Sequence, residues 1–267
     1  MNKFYIQIVL FFLSVSLYLN NRTLATEPDS GIAPKNKSKN SYATSEEIYE
    51  RNKHLLCTNP NEITNAVKLM NEAVIHLVHH ATSKDDYKCV GGNPSYNAFF
   101  YKKKHQNHTK VKKITYSYGD PNKYNELINE FWDPNCINLL DNKSAKTKIT
   151  RVYNPNLVII QRRYKNWIWG SWKYFYALAK KSQISKDKTV IVMISANIND
   201  HHPSTTEYKN TIIENANLFK TDIDSEDDIR KGKFEKKFLN IAGYLIEKNE
   251  KRVNITYIRS IDDRGVI

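Results

Sequence analysis

The order of apolar and polar residues divides the chain into helices near its amino end and strands over most of the rest. The Thr44-Ser-Glu-Glu47 spacing matches a capping box and predicts a short helix to about Leu56. Asn59-Pro60 predicts a second helix, because Asn caps a helix well and Pro suits its first turn. Apolar residues in this second helix recur at steps of three and four, which gives one continuous stripe: Ile63, Ala66, Val67, Met70, Ala73, Val74, Leu77 and Val78.

After this helix the apolar period changes to two. Residues 99–101 and 114–118 predict strands, and Asp120-Pro121 predicts a further helix that Trp132-Asp-Pro134 ends. Beyond it the pattern predicts strands alone, at residues 148–153, 157–164, 172–180, 189–197, 210–219, 234–246 and 253–259. Most of these are separated by short polar turns, which favour antiparallel neighbours because a parallel crossover needs a dozen or more residues. The predicted class is α+β, with helices first and a large antiparallel sheet afterwards.

The first 43 residues differ from the rest in composition. Residues 1–25 have a positive charge at Lys3, an apolar run over 4–19 and small residues before a cleavage point at Ala25, which predicts a signal peptide and secretion. The apolar run is shorter than the ~20 residues that a membrane-spanning helix needs. Residues 26–43 are rich in Ser, Asn, Lys and Pro and predict a disordered linker. Residues 44–267 are then one folded domain.

The chain is basic, with 41 Lys+Arg against 28 Asp+Glu and a formal charge of +13. A partner selected by long-range electrostatics is therefore anionic: a nucleic acid, a phosphate group or a lipid surface. The 32 Lys and 30 Asn far outnumber the 9 Arg. An A/T-rich coding sequence produces the same enrichment without selection for binding. The net charge therefore indicates an anionic partner but does not distinguish among these three classes.

Motifs for catalysis and for metal binding are absent from the sequence. It contains no phosphate-binding glycine loop, nucleophile elbow or HExxH, so we predict no enzymatic activity and no cofactor. His76 and His80 could share a metal, but no third ligand follows, and two polar residues on a solvated helix edge are the preferred interpretation. Three cysteines allow at most one disulfide; Cys57 and Cys89 flank the long helix and are the preferred pair, with a buried unpaired thiol as the alternative for each, Cys136 included.

Aromatic residues are concentrated around position 170. Three of the four tryptophans lie between Tyr164 and Tyr176, interleaved with basic residues; the basic residues are Arg162, Arg163, Lys165 and Lys173, and the tryptophans are Trp167, Trp169 and Trp172. In a strand Trp172, Tyr174 and Tyr176 share one face, and Lys173 and Phe175 share the other. Three interpretations are open: plain core packing, stacking of single-stranded nucleic-acid bases, or a cavity wall that surrounds a quaternary ammonium group while an arginine holds the adjacent phosphate.

Several long segments resemble a known family. They include Ser45-Glu-Glu-Ile-Tyr-Glu50, Arg151-Val-Tyr-Asn-Pro-Asn-Leu-Val158, Lys173-Tyr-Phe-Tyr-Ala-Leu178 and Phe219-Lys-Thr-Asp-Ile-Asp-Ser-Glu-Asp-Asp-Ile229, and they closely resemble the Fam-a family of malaria parasites. Members of that family resemble START (StAR-related lipid-transfer) domains. The resemblance implies a helix-grip fold, in which a curved antiparallel sheet and a C-terminal helix enclose a lipid cavity. It also implies phosphatidylcholine as the cargo.

The resemblance turns the aromatic cluster into a candidate lipid site, made of Arg162, Trp167, Trp169, Trp172, Tyr174 and Tyr176. It implies a monomer that transfers phospholipid between membranes and is secreted to the parasitophorous vacuole or exported to the host cell. The positive charge of the chain suits transient contact with anionic membrane surfaces. Two features depart from the START pattern. Trp172-Lys173 stands where START domains carry Arg-Asp, and only eight residues follow Arg259, about 12 Å of helix, so the closing C-terminal helix is expected to be missing. The alternatives are a secreted basic interaction protein without lipid, and a single-stranded nucleic-acid binder, which we do not expect.

Overall fold

The computed structural model describes residues 42–94, 97–105, 109–134, 145–165, 169–204 and 206–262. The predicted signal peptide, most of the predicted linker, Trp167 and Cys136 lie outside the described residues. The described part begins at Tyr42, and Ala43, placed in the linker by composition, is buried in the core. Its backbone N–H lies 3.3 Å from Oδ2 of Asp133, so the fold begins slightly earlier than composition predicts.

The described residues form four α-helices and twelve strands, which confirms the α+β class. The helices are α1 Ser45–Arg51, α2 Pro60–Thr82, α3 Tyr124–Trp132 and α4 Asp227–Arg230, with 3₁₀ turns at Lys53–Leu55, Pro121–Lys123 and Glu214–Asn217. The strands are β1 Lys88–Asn93, β2 Ala98–Lys104, β3 Lys110–Tyr118, β4 Lys146–Asn154, β5 Leu157–Tyr164, β6 Lys173–Ser185, β7 Lys188–Ile194, β8 Asn197–Asn199, β9 Lys220–Asp222, β10 Glu235–Lys236, β11 Phe238–Lys248 and β12 Val253–Asp262.

The two predicted helix starts are confirmed by their caps. The Thr44 side chain accepts from the N–H of Glu47, and the Glu47 side chain accepts in turn from the N–H of Thr44, 3.0 Å away. Oδ1 of Asn59 accepts from the N–H groups of Asn61 and Glu62 at 3.0 and 3.2 Å. Of the helices that the structure describes, α2 included, none is long and apolar enough to span a membrane.

The long sheet is antiparallel along its main path but is not a simple meander. Its strands run in the order β1-β2-β3-β12-β11-β7-β6-β5-β4, so the last two long strands of the chain insert between β3 and β7. After β3 the chain forms α3 and then β4, which is the edge strand at the end of the sheet opposite β1. Two parallel pairings supplement the main path, β10 with β6 and the small β8–β9 pair.

Two local predictions are wrong, and one strand was not predicted. Residues 210–219 are not a strand, because Oδ1 of Asn210 accepts from the N–H groups of Ile212 and Ile213 at 3.0 and 2.9 Å and folds the backbone into a turn. Strand β1 was not predicted, because it is exposed along its whole length and lacks apolar alternation. Cys57 and Cys89 are free thiols. The helix α2 that separates them has 23 residues and is about 34 Å long, so they lie near opposite ends of it.

The sheet is covered on both faces. Helix α2 packs across β6, β7, β11 and β12 on one face, where Lys180 of β6 donates to Oδ1 of Asn71. Helices α1 and α3 cover part of the other face, where buried residues of β6 such as Phe175, Ala177 and Ala179 join one core cluster with residues of α3. We call this second face the cavity face. Alternate residues of each strand point to opposite faces, which assigns every strand position to one face or the other.

Candidate functional site

Two adjoining cavities lie on the cavity face. The smaller, of about 60 Å³, is bounded by α1, α3 and strands β4, β5 and β7, with Ile48, Phe131 and Ile160 in its lining. The larger, of about 290 Å³, is bounded by strands β5, β6, β7, β11 and β12, with Phe175, Leu239 and Tyr257 in its lining. Arg162 and Met193 line both cavities, so the two spaces meet at these side chains.

Most of the lining is apolar because strand residues with period two bring branched and aromatic side chains to the same face. Val158 and Ile160 of β5 lie two positions apart, and Ile191 and Met193 of β7 do the same. Helix α3 closes the smaller cavity. Its Phe131 ring stacks on Tyr244 of β11, with 4.4 Å between ring centroids and 6° between planes.

Two arginines from different strands line the larger cavity. Arg162 of β5 and Arg259 of β12 both belong to its lining, and none of the described residues that line it is acidic. Nη1 of Arg162 lies 3.4 Å from Oγ1 of Thr147, its register partner on β4. The smaller cavity adds the carboxylates of Glu130 and Asp133 at its α3 side. The cavity face therefore combines an apolar surface with guanidinium groups that can hold an anion.

Aromatic rings line the same cavity as the two guanidinium groups. Tyr164 and Phe175 meet edge to face, 6.2 Å between centroids, and both line the larger cavity with Tyr257. Tyr257 packs in turn against Tyr244 at 4.8 Å. An aromatic face attracts a cation within about 6 Å of its centroid, so this part of the wall can accept a positively charged group beside the anion that the arginines hold.

The structure separates the six residues that the sequence grouped as a lipid site. Arg162 lines both cavities. Trp167 lies outside the described residues, and Trp169 is 86% exposed in a turn. The Trp172 ring lies 6.4 Å from that of Phe234 and belongs to the lining of neither cavity.

Tyr174 and Tyr176 are buried on the face opposite the cavities. The Tyr174 hydroxyl donates to Oδ2 of Asp200 at 2.9 Å, and the Tyr176 hydroxyl accepts from Nε2 of Gln161 at 2.5 Å. Burial raises the pKa of Tyr176 to about 12, and burial beside the Asp200 carboxylate raises the pKa of Tyr174 further. We therefore do not carry these two tyrosines into the proposed site.

Strand β6 contributes Phe175 to the larger cavity, which the sequence analysis did not include in the site, and one signal could have found it. Arg162 and Phe175 are register partners across β5 and β6, and register partners share a face. The alternation in the sequence already places Phe175 opposite Tyr174 and Tyr176. The sequence does not show that β5 pairs with β6, so it could not place Phe175 beside Arg162. Tyr257 and Arg259 come from β12, whose place in the sheet no local pattern indicates.

A histidine cluster lies at the end of α2, away from the cavities. His80 is 4% exposed, and its Nδ1 lies 3.0 Å from the hydroxyl of Tyr87. The rings of His79 and His105 lie 5.7 and 6.4 Å from that of His80. The predicted solvated edge is therefore wrong for His80, which faces the sheet. Within the described ranges no group of three or more His, Cys, Asp or Glu side chains could hold a metal.

We expect acid to destabilise the fold through His80. Burial lowers its pKa to about 3, helped by neighbouring His79, His105 and Lys103, whereas an unfolded histidine titrates near 6.5. The unfolded chain then binds the proton first, so stability is full above about pH 6.5 and falls as the pH drops towards 3. Between about pH 7.5 and about pH 5 the loss through His80 is about 2 kcal/mol.

Urea unfolding at these two pH values measures the loss. The variant His80→Gln cannot take up the proton and should show a smaller difference between the two pH values. His54→Gln, at an exposed position of the first 3₁₀ turn, is the matched control and should behave as the unmodified protein. An identical pH dependence in all three proteins would contradict the assignment.

Comparison with known proteins identifies the fold. No family model matches the chain, and no curated protein sequence matches it. Among solved structures, human StAR-related lipid transfer protein 5 superposes with a TM-score of 0.54 at 10% identity, over 76% of this chain and 85% of that chain. Human STARD10 superposes with a TM-score of 0.46 at 12% identity, over 74% of this chain and 69% of that chain. The chain has a START-like fold, as the resemblance implies.

Proposed function

We propose that this protein binds a phospholipid, with phosphatidylcholine as the cargo, on its cavity face and transfers it between membranes. The observation that carries the proposal is the apolar wall of a START-like fold with one arginine, Arg162, at the junction of both cavities. The structural neighbour with the better superposition is named as a lipid transfer protein, which supports the same conclusion. The resemblance to the Fam-a family supports the choice of phosphatidylcholine.

The headgroup fits the larger cavity. A guanidinium can donate two parallel hydrogen bonds to a phosphate, and both Arg162 and Arg259 line this cavity. The quaternary ammonium of choline prefers aromatic faces, which Tyr164, Phe175 and Tyr257 present in the same lining. A headgroup with one negative and one positive charge therefore meets complementary groups side by side.

The acyl chains fit the apolar lining of both cavities. A diacyl lipid has about 30 methylenes, and exposing them to water costs on the order of 25 kcal/mol, which burial against this wall offsets. Phe131 of α3 stacks on Tyr244 in the lining of the smaller cavity, so this ring lies where acyl chains would pack.

The lining of the smaller cavity contains one buried hydrogen-bond donor that a bound lipid could use. Trp132 is 7% exposed, and its indole N–H has no hydrogen-bond partner among the described residues. Trp132 belongs to the lining of the smaller cavity. An unpaired buried N–H costs on the order of 1–3 kcal/mol. The ester carbonyl of a bound lipid is an acceptor of the right kind, which agrees with acyl chains in this cavity.

We test the proposal by transfer of fluorescent phosphatidylcholine from donor to acceptor vesicles. Arg162→Met keeps the aliphatic stem and removes the charge, and it should lower lipid affinity about 10- to 100-fold because a charge-assisted hydrogen bond contributes about 1.5–3 kcal/mol. Ala145→Trp should fill the larger cavity and reduce binding further. Native mass spectrometry of the purified proteins reports the bound lipid directly.

The control is the neighbouring arginine. Arg163 points to the opposite face, where its Nη2 lies 2.7 Å from Oε2 of Glu226, so Arg163→Met removes the same charge without touching the cavities. We expect its lipid transfer to match that of the unmodified protein. Equal transfer by the Arg162→Met and unmodified proteins, or equal losses in both arginine variants, would refute the site.

A further inference from the structure

A row of basic side chains crosses one end of the sheet. Lys88, Lys102, Lys112 and Arg259 are successive register partners on β1, β2, β3 and β12. Register partners share a face, and Arg259 lines the larger cavity, so all four lie on the cavity face. We call this row the lysine ladder. With strands about 4.8 Å apart, it spans about 14 Å.

The ladder continues in the next row. Lys104 and Lys110 are register partners two positions further along β2 and β3, on the same face. All five lysines of the two rows are exposed, and none of them forms an ion pair with another described residue. Strands β1, β2 and β3 contain no acidic residue, and β12 has only Asp262 at its end, at a position of the opposite face.

This arrangement is unfavourable in the isolated protein. Like charges directly opposite one another on neighbouring strands repel, and Lys102 faces Lys112 in this way while Lys88 faces Lys102. A general excess of lysine in the chain does not align the lysines on one face of three adjacent strands. An anionic surface that contacts the whole row would remove the repulsion.

An apolar row lies directly beside the ladder. Phe100, Ile114 and Tyr257 are register partners two positions from it on the same face, and Phe100 is 39% exposed. The inner end of this row, Tyr257, lines the larger cavity. Charges with an adjacent apolar row suit the boundary between lipid headgroups and acyl chains. The cavity would then open towards that same boundary.

We propose that the lysine ladder docks the protein on an anionic lipid membrane, with the larger cavity turned to the headgroups. The choice of a membrane over a nucleic acid rests on the proposed function, because the ladder ends at the cavity that lipid must enter. Lysine is a compact charge without the planar fork that reads a specific phosphate, which suits a surface of mixed headgroups. The attraction should fall as salt shortens the screening length.

The test is co-sedimentation with vesicles of phosphatidylcholine alone and of phosphatidylcholine with phosphatidylserine. The ladder variant carries Lys88→Gln, Lys102→Gln and Lys112→Gln. Each basic residue near an anionic surface contributes about 1 kcal/mol, so this variant should bind the phosphatidylserine vesicles about a hundredfold more weakly. Binding to phosphatidylcholine vesicles should be weak for both proteins.

The matched control loses the same charge elsewhere. Lys68→Gln, Lys186→Gln and Lys209→Gln change three exposed lysines on α2, on the β6–β7 turn and on the segment after β8. We expect this variant to bind phosphatidylserine vesicles within about threefold of the unmodified protein. Equal losses in the two triple variants would show that only net charge matters and would overturn the proposal. So would unchanged vesicle binding by the ladder variant.

Two further measurements separate this inference from the proposed function. Native mass spectrometry should find the same bound lipid in the ladder variant as in the unmodified protein, because the three changed side chains lie outside the cavity lining. A ladder variant that keeps its lipid and fails to bind vesicles supports the docking surface independently of cargo identity. A single-stranded oligonucleotide that binds more tightly than the vesicles at equal salt, and only when the ladder is intact, would overturn it in favour of nucleic acid.

Discussion

Gly243→Ala is expected to lower the free energy of unfolding by more than about 4 kcal/mol, a cost found only at positions that cannot accommodate a side chain. Gly243 lies in the middle of β11 between β7 and β12, with φ of +152°. A methyl group there would overlap the carbonyl oxygen of Ile191 and come within 2.9 Å of Cα of Val192. Both are backbone atoms of the neighbouring strand, so no rotamer change relieves the clash.

We expect the loss of stability to affect the whole sheet, because β11 joins its two halves. Gly243 pairs with Val192 on one side and with Ile258 on the other. Urea unfolding followed by circular dichroism measures the change, and the soluble yield reports it if the variant does not fold. Gly119→Ala is the control, since a Cβ at Gly119 has no atom within 4 Å, and its effect should stay within about 0.5 kcal/mol. A Gly243→Ala midpoint close to that of Gly119→Ala would contradict the argument.

Asp200→Ala should cost about 3–5 kcal/mol, because it breaks a buried ion pair from one side. Asp200 is buried, and its two carboxylate oxygens accept from Lys236 Nζ at 2.7 Å and from the Tyr174 hydroxyl at 2.9 Å. Its Oδ1 also accepts from the N–H of His202 at 3.3 Å. The carboxylate therefore ties β6 and β10 to the segment that follows β8. Removing this carboxylate takes an acceptor from both the Tyr174 hydroxyl and the Lys236 ammonium group.

Two further variants test whether the cost of Asp200→Ala comes from its charge and its burial. Asp200→Asn retains an acceptor for Tyr174 but loses the charge opposite Lys236, so its cost should lie below that of Asp200→Ala. Asp224→Ala removes a carboxylate that pairs with Arg230 in the open, with 96% of the Asp224 side chain exposed, and should cost less than about 1 kcal/mol. Urea unfolding of the three variants at neutral pH orders them. Equal effects of Asp200→Ala and Asp224→Ala would show that burial at Asp200 does not matter.

The elements that depend on neighbours in sequence could be predicted. The capping box at Thr44, the Asn59-Pro60 start and the apolar stripe of α2 are local features, and the structure confirms all three. Strand β5 was predicted with its observed bounds because a run of apolar residues ends at a two-residue turn on one side. The failure at residues 210–219 is also local in cause. The side chain of Asn210 competes for backbone N–H groups that a strand would use.

The candidate site could be predicted only in part. Arg162 was named from the sequence and lines both cavities, whereas Tyr174 and Tyr176 were grouped with it although they face the other way. Composition brings basic and aromatic residues into one segment, but a strand sends its neighbours to opposite faces. Which face meets the cavity depends on the register of β5 with β6, and register is a property of two strands rather than of one.

The α+β class, the helix starts and the alternation that divides each strand into two faces are visible in short stretches of the sequence, because they follow from backbone geometry over a few residues. The position of β12 between β3 and β11 is not visible there, and it is this position that brings Tyr257, Arg259 and the lysine ladder to the cavity face. Strand order and register follow from burying many distant residues at once, which no short window of the chain contains.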